Sequence, residues 1–281
     1  MTWKIVADSG CDYRTIENIA VDTLFENVPL SIQVNDEIFI DNAQLNIDDM
    51  MKKMYATSSA SKSACPSPDD YMKAFDGASN IFVVTITGTL SGSHNSAQVA
   101  KKLYLEEHPD VNIHIIDTLS AGGENDLIIK QLSFIIGQGL SYEEVVTEIT
   151  AYQTKTKLLF VLAKVDNLVK NGRLSKLVGA VVGLLNIRMV GEASQDGKLE
   201  LLQKARGAKK SLIAAFDELI KAGYVGGQII IAHRNNLKFC QQFSEMVREK
   251  FPQAVIEVIP TSGLCSFYAE ENGLLIGYEI Q

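Results

Sequence analysis

A run of hydroxyls interrupts the chain at residues 85–103, TITGTLSGSHNSAQVAKKL. Thr89, Ser91 and Ser93 sit on alternate positions, with Gly92 between the serines. The apolar segment IFVVTIT (81–87) leads in and a helix-like pattern leads out, which places the hydroxyls on a strand-to-helix loop. Three kinds of chemistry suit such a loop. The first N–H groups of the helix are unpaired and attract an anion. A serine can act as a nucleophile. Or Ser91 or Ser93 simply caps the helix.

The spacing removes some of these. A phosphate loop needs G-x-x-x-x-G-K-[ST], but no lysine follows Gly88 at the required place, and no G-x-G-x-x-G follows a strand. A nucleophile elbow reads G-x-S-x-G, whereas Gly88 lies three residues before Ser91, not two. The general base would have to be His94, His108, His114 or His233. His94 is near Ser91 in sequence, which does not make a triad. Anion binding and helix capping both stay open, and they are compatible. Gly92 allows a ligand close to the backbone, and Ser91 and Ser93 each supply a rotatable donor.

A second hydroxyl loop is SSASKSACPSPDDYMKAF (58–75). Pro66 and Pro68 bracket Ser67, fix φ and disfavour strand or helix there, so the loop is expected to be ordered, with a helix starting at about Asp69. Its bland reading is a surface connection with a proline near a helix start. The cysteines are Cys11, Cys65, Cys240 and Cys265. None forms C-x-x-C and no Cys/His cluster has zinc spacing, so no metal is expected and a reducing cytosol is.

The elements that must hold these loops read as α/β. WKIVA (3–7), IFVVTIT and VNIHIIDT (111–118) are buried-strand runs separated by helical patterns, which argues for right-handed crossovers and a mostly parallel sheet. NVPLSIQVNDEIFIDN predicts a hairpin about Asn35-Asp36, with Ile32, Val34, Ile38 and Ile40 on its paired strands. Ser141 with Glu144 three residues on is a capping box. After the polar stretch YQTKTK the pattern changes, giving an N-terminal α/β domain over 1–153 and a C-terminal α/β domain over 154–281. The chain has 281 residues, 46% of them hydrophobic and 21% charged, with formal net charge −8. That is globular, and the acidic balance argues against a sequence-independent grip on nucleic acid. LVGAVVGLLNI (177–187) is about half of the ~20 residues that cross a bilayer. The expectation is a cytoplasmic protein that is not integral to a membrane, though compatible with transient contact at a membrane surface.

Taken together, KSACPSPDDYMKAF, VVTITGTLSGSHNSAQVA, IHIIDTLSAGGENDLII, LVKNGRLSK and KLELLQKARGAKKSL, in this order and along nearly the whole chain, resemble the DegV family. Members bind a long-chain fatty acid, and characterised ones are the fatty-acid-carrying subunit of a bacterial fatty acid kinase. The family's T-S-Q-P-S-P stands here as Ser63-Ala64-Cys65-Pro66-Ser67-Pro68, and its L-S-G-T as Leu90-Ser91-Gly92-Ser93. The resemblance implies a fatty acid as ligand, no other cofactor, and no ATP site. It puts the ligand site between the two domains, with the carboxylate among Ser63, Ser91, Gly92 and Ser93, and the acyl chain in a tunnel of the second domain for which KLVGAVVGLL, with Gly179, Ala180 and Gly183, is a candidate lining. It implies a separate kinase subunit as partner. Lys170, Arg173, Lys204 and Arg206 fall where the family carries basic residues that meet the partner and the acyl phosphate, a role that suits the guanidinium fork.

The chain departs from the family near its C-terminus. Many members carry H-x-G-P-G, whose histidine reaches the carboxylate; aligned on Gly273, the histidine's place falls at Ala269. Either Tyr268, Ser266 or a nearby basic residue substitutes, or the head-group chemistry differs. The competing readings are a serine esterase or acyltransferase using Ser91 with His94, and a lipid-binding protein uncoupled from any kinase.

Overall fold

The computed structural model describes residues 2–175 and 186–281. Strands β1 (Trp3–Asp8), β2 (Thr23–Val28), β6 (Asn80–Thr85) and β7 (Asn112–Asp117) form a parallel sheet in the order β2-β1-β6-β7. Every residue of β6 is buried, as a continuous apolar run requires of a strand covered on both faces. One face carries helices α2 (Pro68–Phe75) and α3 (Ser93–Glu107). The other carries α4 (Gly123–Ile136) and α5 (Tyr142–Gln153), the latter opened by the Ser141–Glu144 capping box.

A small antiparallel sheet, β4-β3-β5, stands beside it: β3 (Ser31–Val34), β4 (Glu37–Ile40) and β5 (Lys62–Ala64), packed on α1 (Ile47–Ala56). The hairpin turns at Asn35, whose φ of 54° is the left-handed conformation such turns use. Its inward face differs from expectation. Phe39 pairs with Ile32 and points into the core, while Ile38 and Ile40 are 63% and 45% exposed. A run with apolar residues at three successive positions fits either register, and the core selected the ring.

The six-stranded second sheet has the order β10-β9-β8-β13-β11-β12. Its strands are β8 (Thr156–Leu162), β9 (Ile187–Ala193), β10 (Leu199–Arg206), β11 (Gln228–His233), β12 (Val255–Pro260) and β13 (Leu274–Glu279), with only β11 and β12 parallel. Along β8 the side chains alternate. Leu159 and Val161 join the core under α7 (Gly207–Lys221) and α8 (Leu237–Lys250), while Leu158, Phe160 and Leu162 face the other way. The short helices α6 (Asp166–Lys170) and α9 (Gly263–Ala269) lie on that second side.

Helix α4 joins the halves. It touches β1 and β6 of the first sheet and β13, β11 and β8 of the second, and most of its residues are buried. Its backbone meets β13 directly: a Cβ on Gly123 would lie 2.8 Å from the Gly277 nitrogen. Glycine is required at both positions. The chain leaves α6 through Gly172, at φ +73°. The proposed lining segment KLVGAVVGLL (176–185) lies outside the described residues.

Candidate functional site

The inward row of β8 forms the floor of a cavity of about 320 Å³ between the two halves. That is at the small end of the ~300–1,000 Å³ typical of ligand pockets. Leu158, Phe160 and Leu162 on β8, with Leu275 on β13, face Leu30, Ile86 and Leu264 from the other side. One set of polar groups in the lining lies close together: Ser63, Ser91, Arg173 and Tyr268, with the Gly92 backbone and the Cys65 thiol; Thr87, Ser120 and Lys198 also line the cavity.

The hydroxyl loop divides its side chains among separate tasks. Thr87 Oγ1 donates to the Gly197 carbonyl at 3.0 Å and Thr89 Oγ1 to the Asp196 carbonyl at 2.6 Å, so both strap the β9–β10 turn onto the loop. Ser91 Oγ accepts from the Ser93 N–H at 3.3 Å and keeps its own proton uncommitted among the described residues. Gly92, not a serine, occupies the N-cap position of α3, with no side-chain cap bond. A Cβ there would meet only the Cys65 sulfur at 3.1 Å, so the backbone is open to the cavity mouth.

Ser93 stands apart from the other residues of the expected cradle. Its side chain is fully buried behind the loop, its Oγ lies 2.7 Å from Tyr71 Oη, and it does not line the cavity. Ser93 also bonds Asp8, whose carboxylate accepts from the Gly10 and Ile86 N–H groups. Burial pushes Asp8 up to about 6. This cluster fixes the two loop starts against each other.

Ser63 reaches the mouth because β5 pairs with β3, placing it opposite Ile32. Its Oγ lies 2.8 Å from Tyr268 Oη. Either oxygen can donate, so the pair retains one free proton for a ligand. Burial, the largest cause, raises the Tyr268 pKa, and the phenol is a neutral donor. Ala269 lines the cavity beside it. Of the substitutes for the missing histidine, Tyr268 is therefore at the mouth, whereas Ser266 is buried with its Oγ against Thr261.

Tyr268 is held in place from the first half of the chain. The N-terminus of α9 presents the Ser262 N–H to Asp12 Oδ1 at 2.7 Å, and the Gly263 and Leu264 N–H groups to Asp41 at 2.8 and 2.7 Å. Carboxylates suit this end of a helix, by direct hydrogen bonds and by the dipole. Arg14 pairs with Asp41 at 2.7 Å. Any side chain at Gly263 would collide with the Asp41 carboxylate. Asp126 in turn accepts from the Asp12 and Tyr13 N–H groups. Burial and the neighbouring Asp12 raise its pKa well above the ordinary range.

The basic residues separate. Arg173 lines the cavity, donates from Nε to the Leu90 carbonyl at 3.2 Å, and lies 6.0 Å from the Tyr268 ring centroid. Lys170, Lys204 and Arg206 are exposed and line no part of the cavity. Lys198, on the β9–β10 turn, does line it and carried no sequence signal beyond being a lysine near a turn. The Ser91–His94 pair needed for an esterase is not assembled. His94 Nδ1 faces Thr85 Oγ1 at 3.1 Å and Nε2 faces Gln98 at 3.3 Å, so neither nitrogen addresses Ser91. Among the described residues no acidic, His or Cys group could hold a metal, and no helix is long and apolar enough to cross a membrane.

A family profile described as "Uncharacterised protein, DegV family" matches residues 2–280. The chain belongs to the DegV family. A DegV domain-containing protein of Streptococcus gordonii is 78% identical over 280 residues, covering 100% of both chains. A crystal structure of the Streptococcus pneumoniae Fatty Acid Kinase (Fak) B3 protein loaded with linoleic acid is 72% identical, with TM-score 0.99 over 100% of both chains. A DegV family protein from Eubacterium eligens loaded with heptadecanoic acid is 37% identical, with TM-score 0.96 over 100% of both chains. The mixed α/β architecture, with one parallel sheet and a second, mostly antiparallel sheet, both packed against helices, is thus that of DegV proteins.

Proposed function

We propose that the chain binds a long-chain fatty acid in this cavity and presents its carboxylate to a separate ATP-dependent kinase subunit, which converts it to an acyl phosphate. The observation that carries the reading is the layout of the cavity: an apolar interior, with hydroxyls, an open backbone N–H and one arginine grouped together. The fatty-acid-loaded DegV relatives support it. An acyl chain in the interior would gain about 0.8 kcal/mol per buried methylene. A carboxylate at the mouth would accept from Ser91 Oγ, the Gly92 N–H and the Ser63–Tyr268 pair, with Arg173 offsetting its desolvation.

These three donors occupy fewer than the roughly four lone-pair sites of an ionised carboxylate, so one oxygen keeps a lone pair with which to attack a terminal phosphate. Bond formation to phosphorus and departure of ADP would occur on the partner's nucleotide, in the cytoplasm. Arg173 would meet the developing phosphate from inside the mouth, and Lys170 and Arg206 would contact the kinase from the surface.

Titration with a long-chain fatty acid and with the matching fatty alcohol tests the binding reading. Tight binding of the acid and much weaker binding of the alcohol is expected; equal affinity would remove the carboxylate cradle. Incubation of the lipid-loaded protein with a cognate kinase subunit and labelled ATP tests the second step. Tight lipid binding without acyl phosphate would favour a lipid carrier uncoupled from the kinase, the reading that Ala269 at the histidine's place supports.

A further inference from the structure

We infer that Phe160, laid flat by Gly191, sets the depth of the cavity and with it the longest acyl chain the protein accepts. This rests on the fatty-acid reading and adds the residue that limits the ligand.

Phe160 and Gly191 are directly paired across β8 and β9. A Cβ on Gly191 would stand 2.6 Å from both Cε2 and Cζ of the Phe160 ring. The far end of the ring therefore occupies the space that a side chain at 191 would take. Phe160 lines the cavity and is fully buried, so the ring closes the floor at this point and leaves no open space around itself. Leu158 and Leu162 flank it on the same strand face, and Ala193 is the next inward residue of β9 after Gly191. Small residues on β9 thus leave a trough in the floor, and the ring fills its middle. Among the described residues no other purely hydrocarbon aromatic lines the cavity. A stiff ring bedded on backbone yields less than a flexible aliphatic side chain would, which is what a fixed limit requires.

Gly191 itself is unsuited to a test, because a Cβ there also collides with the Glu200 carbonyl and would disturb β10. The variants are Phe160→Leu and Phe160→Ala, with Leu90→Ala beside Ser91 as a control for general loosening near the mouth. Affinities are measured for saturated acids from laurate to arachidate. In the wild type, affinity is expected to climb about fourfold per methylene until the cavity is full and then to level. Phe160→Ala moves that limit to longer chains, raising the arachidate-to-palmitate affinity ratio at least about fourfold, one methylene's worth. Phe160→Leu moves it less, and Leu90→Ala leaves the ratio unchanged. A ratio unaltered in Phe160→Ala, or altered equally in Leu90→Ala, overturns the inference while leaving fatty-acid binding intact. A wild-type protein that binds none of the acids overturns the reading beneath it.

Discussion

Replacing Tyr268 by Phe removes one oxygen and little else. The ring keeps its edge contact with Phe267, at 4.7 Å between centroids, and its place near the Arg173 guanidinium. The Ser63 hydroxyl loses its 2.8 Å partner and can still turn towards a ligand. Where the phenol gives the pair's free proton to a carboxylate at the mouth, its loss removes one charge-assisted hydrogen bond, worth up to ~1.5–3 kcal/mol, or roughly 10- to 150-fold in affinity, less whatever the Ser63 hydroxyl restores. Loss of a neutral bond alone would be nearer ~1 kcal/mol. The assay is competitive displacement of a fluorescent fatty acid by an acid and by its methyl ester. The ester keeps the chain and loses the charge, so its affinity should fall much less than the acid's. Ser63→Ala with Tyr268→Phe completes a double-mutant cycle, and strong coupling is expected because the two oxygens share one bond. Equal losses for acid and ester, or an acid affinity unchanged in Tyr268→Phe, would refute the head-group assignment.

Three further outcomes follow from the scaffold. Asp41→Ala removes the acceptor for two N–H groups of α9 and strands Arg14, whose partner carboxylate is 1% exposed; urea unfolding should show a loss of about 3–5 kcal/mol, and a loss under 1 kcal/mol would discount this anchor. Glu124, buried against Thr156, is pushed up from 4.5 to about 7 by burial. A buried acid whose folded pKa is raised favours the fold while protonated, so its contribution is full below about 4.5 and is lost as pH rises to about 7; Glu124→Gln should flatten the stability profile in that window, and an unchanged slope would count against it. Thr87→Val with Thr89→Val removes the hydroxyls that hold the β9–β10 turn; faster amide exchange at residues 194–198 is expected, at about 1 kcal/mol per bond lost, and unchanged protection would show that the strap is not what holds the turn.

Local signals were legible in the sequence. The Ser141–Glu144 box works as its spacing requires, with each residue bonding the other's backbone. The helix after Pro66 begins at Pro68, one residue before the expected start, with Ser67 as its cap and Asp70 closing a second capping box. The continuous runs of β1 and β6 declared a sheet covered on both faces. What the sequence hid depends on long-range packing. Ser91 and Ser93 look equivalent in a list of hydroxyls, yet Tyr71 and Asp8 draw one into the core and leave the other at the mouth. Tyr268 reaches Ser63 because Asp12 caps a helix start 250 residues away. Nor does a run such as LLFVL state which of its alternate faces looks onto an empty space, since both faces are apolar.

The central claim is that the cavity holds a long-chain fatty acid by its carboxylate, and native mass spectrometry of the protein purified from a bacterial host tests it most directly. The account predicts a mass excess equal to one long-chain fatty acid, recovered as the free acid on lipid extraction and restored when stripped protein is given that acid. A protein that carries no acyl species and takes up none when it is supplied would contradict it.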